Sequence, residues 1–168
     1  MPSFDEKIHY SIRECSLGSA LIAHSVQGIC AIMLSDNLAE LTSELKNRFP
    51  KAECILDEKK FAALTTKIIK HIESPSVSFD FTLDIRGSAF QQKVWRQLQK
   101  ISFGKTVTYT DIAKKIGAPK AVRAVANACG ANAIAVLSPC HRVIRRDGSL
   151  SGYRWGIERK TALLKLEM

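Results

Sequence analysis

Residues 8–15 alternate apolar and polar, with Ile8, Tyr10 and Ile12 on one face, which predicts a β-strand. Two more apolar runs follow at residues 20–24 and 29–34. Ser16-Leu17-Gly18-Ser19 turns the chain before the first of them, and residues 25–28 separate the two. Three short strands joined by short turns predict an antiparallel meander. The period then changes to helical. Leu38, Leu41, Leu45 and Phe49 lie along one helix face behind Ser35-Asp36 as a cap, and Pro50 ends the helix. A second helix is predicted over 59–73, with Phe61, Leu64, Ile68 and Ile72 facing inward.

Ser74-Pro75-Ser76-Val77-Ser78 reads as a linker, and residues 79–85 as an extended crossing segment. These place a domain boundary near 80–87 and predict an N-terminal α/β domain, 1–80, and a second domain, 81–168. The second half is mostly helical in pattern. Phe90, Val94, Leu98 and Ile101 form one buried stripe. Helices at 109–116 and 120–129 flank Gly117-Ala118-Pro119, which suggests a helix-turn-helix, although many helical hairpins share that pattern. The second of these helices is rich in alanine. Small residues there serve either tight helix packing or close approach to DNA, with Arg123 as the one long probe. A final helix is predicted over 156–166.

Composition sharpens this picture in two places. The 168 residues are 46% hydrophobic and 24% charged, enough apolar content for a buried core. No apolar run approaches the ~20 residues of a membrane span, and the N-terminus lacks a signal-peptide layout. A soluble, cytoplasmic protein is expected. Five cysteines without regular spacing do not read as a disulfide framework. The net charge of +9 is unevenly placed: residues 1–80 hold 9 basic and 11 acidic side chains, residues 81–168 hold 16 and 5. A basic second half suits a polyanionic partner or a solvated basic face.

Pro139-Cys140-His141-Arg142 is the tetrapeptide richest in chemistry. A thiol becomes a nucleophile when positive charge lowers its pKa and a base takes its proton. His141 supplies a base, and Arg142, Arg145 and Arg146 supply positive potential. Neighbouring side chains on extended backbone point to opposite faces, so the pair needs a turn or a bridging water. A buried cysteine that happens to precede a histidine has the same spelling.

The stretch Ser138-Pro139-Cys140-His141-Arg142-Val143-Ile144 resembles the active-site signature of the O6-alkylguanine-DNA alkyltransferases, also called methylated-DNA–protein-cysteine methyltransferases. Residues 90–95, 104–109, 119–125 and 148–156 resemble the same family in order and spacing. Within it the likeness is strongest to the C-terminal repair half of the bacterial Ada protein. The resemblance implies an α+β fold: a small N-terminal antiparallel sheet with helices, ribonuclease-H-like, then a mostly helical C-terminal domain containing a helix-turn-helix. It implies that O6-alkylguanine, chiefly O6-methylguanine, is flipped out of duplex DNA. The alkyl group then passes irreversibly to Cys140, one turnover per molecule.

The family's roles fall on matching residues. His141 acts as base through a water, and Glu167 orients the imidazole, although a carboxylate beside a chain end also reads as a solvated helix end. Asn132 is the hinge between recognition helix and active-site segment, where Gly130-Ala131-Asn132 otherwise reads as a helix stop. Tyr109 donates its hydroxyl near the guanine, or packs as a core tyrosine. Arg123 enters the base stack, or contacts phosphate. The backbone of Val143 reads the guanine edge, and Tyr153, Arg154 and Trp155 form a loop over the pocket, with Trp155 either lining the pocket or packed in the core. The implied partner is double-stranded DNA containing O6-alkylguanine, with O4-alkylthymine left open, and the implied state is a monomer. No cofactor is expected. Zinc occurs in some relatives, but here Cys15, His24 and Cys30 lack the tight pairs of common zinc sites, so no metal is expected. The upstream regulatory half of Ada has no counterpart in these residues, so no transcriptional role is expected.

Overall fold

The computed structural model describes residues 4–75, 80–150 and 152–168. Ser76, Val77 and Ser78 of the expected linker, Phe79 and Ser151 lie outside them. The chain divides into two compact units, Met1–Ile85 and Arg86–Met168.

The first unit is built on a four-stranded sheet in the order β3-β2-β1-β4. Strands β1 (Glu6–Cys15), β2 (Gly18–Ser25) and β3 (Gly28–Ser35) form the antiparallel meander. Strand β4 (Ala52–Leu56) adds a parallel neighbour to β1, with Ile8 opposite Cys54. The sequence predicts no strand there, because five residues with charge at Glu53 carry little periodicity. Helix α1 (Leu38–Arg48) makes the crossover between β3 and β4. Its cap is Asn37, whose side chain accepts from the amides of Ala39 and Glu40 at 3.0 and 3.3 Å, rather than Ser35-Asp36. Ser35 instead accepts from the Asn37 amide and donates to Glu40.

Strand periodicity decides which helix covers which face. Ile8 packs with Leu21, Ala23, Met33, Leu41, Leu45 and Phe49, the α1 side of the sheet, and Tyr10 and Ile12 lie against that cluster. Ser11 points the other way and pairs with Thr65 of helix α2 (Ala62–Glu73) at 3.3 Å. With a helix on each face, β2 and β3 are buried nearly throughout, which is why they read as continuous apolar runs. Helix α2 starts at Ala62, later than expected, and buries Thr65, Ile68 and Ile72. Residues 82–84 do not simply cross to a second domain. The Ile29 amide donates to the Thr82 carbonyl at 2.9 Å, and the Asp84 amide donates to Ile29 at 2.8 Å. They therefore belong to the first unit, and the second begins five residues later than residue 81. Gly28 permits this pairing: at φ +143°, a Cβ there would lie 2.5 Å from the Thr82 oxygen.

The second unit holds helices α3 (Ala89–Gln99), α4 (Tyr109–Lys115), α5 (Val122–Gly130) and α6 (Ile157–Leu166). Ser88 and Gln91 form a capping box at the start of α3, and Thr108 and Asp111 form one at α4. Helices α4 and α5 are the two arms expected of the helix-turn-helix, turning at Gly117, φ +77°. The α3 stripe buries Val94 and Leu98, together with Trp95, whose indole N–H donates to the Ala128 carbonyl of α5 at 2.9 Å. Two-residue strands β5 (Val107–Thr108) and β6 (Val143–Ile144) pair in parallel, Val107 opposite Val143. That short ladder joins the start of α4 to the segment that carries Cys140. No helix among the described residues is long and apolar enough to cross a membrane.

Candidate active site

Cys140 opens a single 3-10 turn, Cys140–Arg142. Two tight turns lead into it. The Leu137 amide donates to the Ala135 carbonyl at 2.7 Å across Val136, which sits at φ +68°. This is a γ-turn of the strained hand, unusual for a β-branched residue. The Cys140 amide then donates to the Ser138 carbonyl at 2.8 Å across Pro139, φ −83° and ψ 62°, an inverse γ-turn. Both Cys140 and His141 are buried in the 3-10 turn.

Asn132 holds this segment closed. Its side-chain oxygen accepts from the Ile134 amide at 3.1 Å. Its amide nitrogen lies 3.1 Å from the Ile134 carbonyl, 2.9 Å from the Ser138 carbonyl and 3.4 Å from Cys140 Sγ. One side chain thus ties the end of α5 to both sides of the Val136 reversal and to the sulfur.

His141 Nε2 lies 3.0 Å from Glu167 Oε1. The same carboxylate accepts from Arg142 Nε at 3.0 Å and Nη2 at 2.6 Å, while Arg142 Nη1 donates to the Ile101 carbonyl at 2.7 Å. Burial alone would raise the Glu167 pKa, but hydrogen bonds and charge from His141 and Arg142 hold it at about 2. An ionised carboxylate only accepts, so Nε2 carries the imidazole proton. Burial keeps the His141 pKa below its usual value despite Glu167, so the ring is neutral at pH 7. Its Nδ1 is buried, holds the lone pair and has no protein partner. Glu167 is no frayed end: it caps α6 and is 6% exposed.

The thiol departs from the sequence expectation. Burial pushes the Cys140 pKa up to about 11, although the Asn132 hydrogen bond and the charges of Lys160 and Arg154 pull it down. Desolvation outweighs local positive charge, so the resting group is a thiol and needs a base. The expected source of positive potential is also corrected. Arg142 is committed to Glu167, and Arg145 and Arg146 are exposed. Lys160 supplies the nearby charge instead. Lys160 is fully buried, its ammonium donates to the Val143 carbonyl at 2.6 Å, and it stands 5.9 Å over the Tyr109 ring. Burial lowers its pKa, while Cys140 and Cys129 raise it. Lys160 is not among the residues expected at the site, yet it precedes Leu163 and Glu167 by three and seven residues on one helix face, a spacing that marks it from the sequence.

The remaining expected residues are distributed as follows. Tyr109 is the first residue of α4 and is buried. Val143 is buried, its amide donates to the Cys140 carbonyl and its own carbonyl takes Lys160, so both its backbone groups are engaged. Tyr153 and Trp155 pack edge to face with ring centroids 5.4 Å apart. Arg154 lies between them in sequence, with its guanidinium 5.9 Å from the Trp155 ring and 3.2 Å from the Gly130 carbonyl. Trp155 is buried, as a core residue would be, and is also part of the loop beside the site. Arg123 is apart from this cluster, exposed near the start of α5. No three His, Cys, Asp or Glu side chains among the described residues gather as metal ligands.

A family model described as 6-O-methylguanine DNA methyltransferase, DNA binding domain, matches residues 89–168. The inducible methylated-DNA–protein-cysteine methyltransferase of Bacillus subtilis is 39% identical over 147 residues, 87% of this chain and 82% of that protein. The chain belongs to the methylated-DNA–protein-cysteine methyltransferase family. Its similarity to the bifunctional transcriptional activator/DNA repair enzyme Ada of Escherichia coli is 48% identity over 160 residues, 95% of this chain but 45% of Ada. The chain thus spans less than half the length of that relative. A solved structure, Mycobacterium tuberculosis OGT in complex with DNA, matches with a TM-score of 0.80 at 35% identity, covering 95% of this chain and 92% of that one. The part matched by the methyltransferase model contains every residue of the cluster around Cys140.

Proposed function

We propose that the protein repairs O6-alkylguanine, chiefly O6-methylguanine, in double-stranded DNA by taking the alkyl group onto Cys140, once per molecule. The observation that carries this reading is the buried Cys140 thiol in one turn with a neutral His141 whose Nε2 is fixed by Glu167 and whose Nδ1 is free to accept a proton. In this reading Nδ1 takes the thiol proton through a bridging water. The sulfur then attacks the alkyl carbon, the carbon–O6 bond breaks, and its electron pair stays on guanine, which is protonated as it leaves. The product is a thioether, which water does not hydrolyse, so the protein is consumed. No cofactor enters any step.

In the stacked duplex the alkyl carbon on O6 cannot reach a buried thiol, so the nucleotide must leave the stack. Arg123, exposed at the start of α5, fills the vacated place, and Tyr109 donates to the flipped base. The loop Tyr153-Arg154-Trp155 bounds the pocket. Asn132 is the hinge that joins α5 to the nucleophile. Val143 reads the guanine edge only through the second lone pair of its carbonyl, since Lys160 occupies the first. The protein acts as a monomer in the cytoplasm, and its basic second unit supplies DNA affinity.

The test is mass spectrometry of the protein after incubation with O6-methylguanine duplex. One methyl adduct on Cys140 is expected. Cys140→Ala abolishes uptake, whereas alanine at Cys15, Cys30, Cys54 or Cys129 leaves it. Uptake by the Cys140 variant overturns the mechanism.

A further inference from the structure

Two donors in the 153–155 loop lack the partners that buried donors ordinarily have. The Tyr153 hydroxyl and the Trp155 indole N–H are both buried, and neither meets an acceptor. An indole N–H can only donate, and a phenol donates readily. Native structures leave few such groups unpaired, and each costs free energy that a bound acceptor would return. The two rings are held as a unit by their edge-to-face contact. The loop is fastened at both ends: Arg154 Nη1 donates to the Gly130 carbonyl at 3.2 Å, and Arg159 Nη1 donates to the Trp155 carbonyl at 2.9 Å. The phenol pKa is held well above its usual value, first by burial and then by the neighbouring Cys140, which places the two groups within electrostatic reach of each other.

Resting on the alkyl-transfer reading, we propose that Tyr153 and Trp155 form a donor pair that selects O6-alkyl groups bearing an oxygen acceptor, of which O6-(2-hydroxyethyl)guanine is the simplest. Methyl and n-propyl groups offer these donors nothing. A 2-hydroxyethyl group has the length of n-propyl but ends in oxygen, so it satisfies the pair without a change of shape. The chemistry is unchanged. Sulfur bonds to the first carbon, the carbon–O6 bond breaks with its electrons left on guanine, guanine takes a proton, and Cys140 becomes S-(2-hydroxyethyl)cysteine. Trp155 thus acts through its N–H as well as its bulk.

The experiment compares single-turnover rates on duplexes carrying O6-(2-hydroxyethyl)-, O6-n-propyl- or O6-methylguanine. Wild type is expected to take hydroxyethyl about three- to tenfold faster than propyl, the worth of one hydrogen bond. Trp155→Phe and Tyr153→Phe remove the donors and keep the rings. Each is expected to move the hydroxyethyl-to-propyl ratio towards one. The ratio is taken within one preparation, so a partly unfolded variant still reports it. A wild-type ratio of one, or a ratio that survives both substitutions, overturns the donor pair. So does a loss equal on all three substrates, which would mean that the donors read guanine itself. Wild type that accepts no alkyl group, methyl included, overturns the alkyl-transfer reading and this inference with it.

Discussion

Up to Ile85 the chain holds 9 basic and 12 acidic side chains; from Arg86 onward it holds 16 and 4. The contrast extends to the backbone. The first unit is a regular sheet between two helices, its chain reversals made by hairpin turns and caps. The second folds its middle into two γ-turns, a 3-10 turn and a two-residue ladder. Among the described residues, a buried side-chain atom without a hydrogen-bond partner occurs in the first unit at His24, whose ring stacks on Phe61 at 4.3 Å, and in the second at Ser138, His141, Tyr153 and Trp155. Regular structure satisfies its own backbone and leaves little for a ligand to bind. The irregular segment gives up that self-sufficiency and holds a thiol, a base and donors in fixed positions.

Removing the largest side chain of the irregular region should produce the largest change. Trp155→Gly is expected to cost about 3–5 kcal/mol of stability, because a buried indole leaves a cavity and Tyr153 loses its packing partner. Urea denaturation measures it. A loss below about 1 kcal/mol would mean that the 153–155 loop is not packed as part of the unit.

The two units should also lose stability in different acid ranges. Burial, with His9 adding, lowers the His24 pKa from 6.5 to about 4. A depressed folded pKa means that the unfolded chain binds the proton first, so this stability is complete above pH 6.5 and is lost as pH falls towards 4. Glu167, lowered from 4.5 to about 2, follows the same sign, with its contribution complete above pH 4.5 and lost as pH falls towards 2. Each shift is on the order of 3 kcal/mol at about 1.4 kcal/mol per pKa unit. His24→Phe should flatten the stability curve in the upper window and Glu167→Gln in the lower. One shared window, read from melting curves across pH, would break the distinction between the units.

Lys160→Met should follow in size. It keeps the length of the side chain but leaves the Val143 carbonyl without its 2.6 Å donor. An unpaired buried acceptor costs about 1–3 kcal/mol, and the Cys140 pKa should rise because the lysine charge that lowers it is gone. Thiol reactivity against pH separates the two effects. An unchanged Cys140 profile would leave Lys160 with a packing role only.

The smallest effect concerns the exposed basic surface. If Arg123 neutralises a phosphate, Arg123→Ala reduces the slope of log affinity against log salt by about 0.9. If it enters the stack, the slope changes little, while duplex repair falls far more than reaction with free O6-alkylguanine. Affinity titrations at several salt concentrations, with paired rates on the two substrates, decide between them.

The chain's elements were legible where periodicity runs long. The meander, the α1 stripe through Leu41 and Leu45, and the α3 stripe through Val94 and Leu98 follow from spacing alone, because burial on one face imposes a period of two or 3.6. The short strands β4, β5 and β6 were not legible. A strand of two to five residues is made by its partner, and its own pattern is too brief to declare it. The tetrapeptide around Cys140 offered a candidate nucleophile and base, which residue type alone left open and the family resemblance favoured, but it misjudged how the site is charged. Arg142 looked like a source of potential for the thiol and is instead spent on Glu167.

Sequence alone therefore determined the helices, the meander and the uneven charge, and it offered Cys140 and His141 as candidates for the reactive pair. Each is a property of residue type or of local spacing. Tertiary structure decided that Glu167 faces His141, that Lys160 is buried among Val143, Tyr109 and Cys140, and that the thiol rests protonated. These depend on groups 17 to 51 residues apart meeting where water is excluded. Desolvation and long-range contact set the charge state there, and neither is a property of any one stretch of chain.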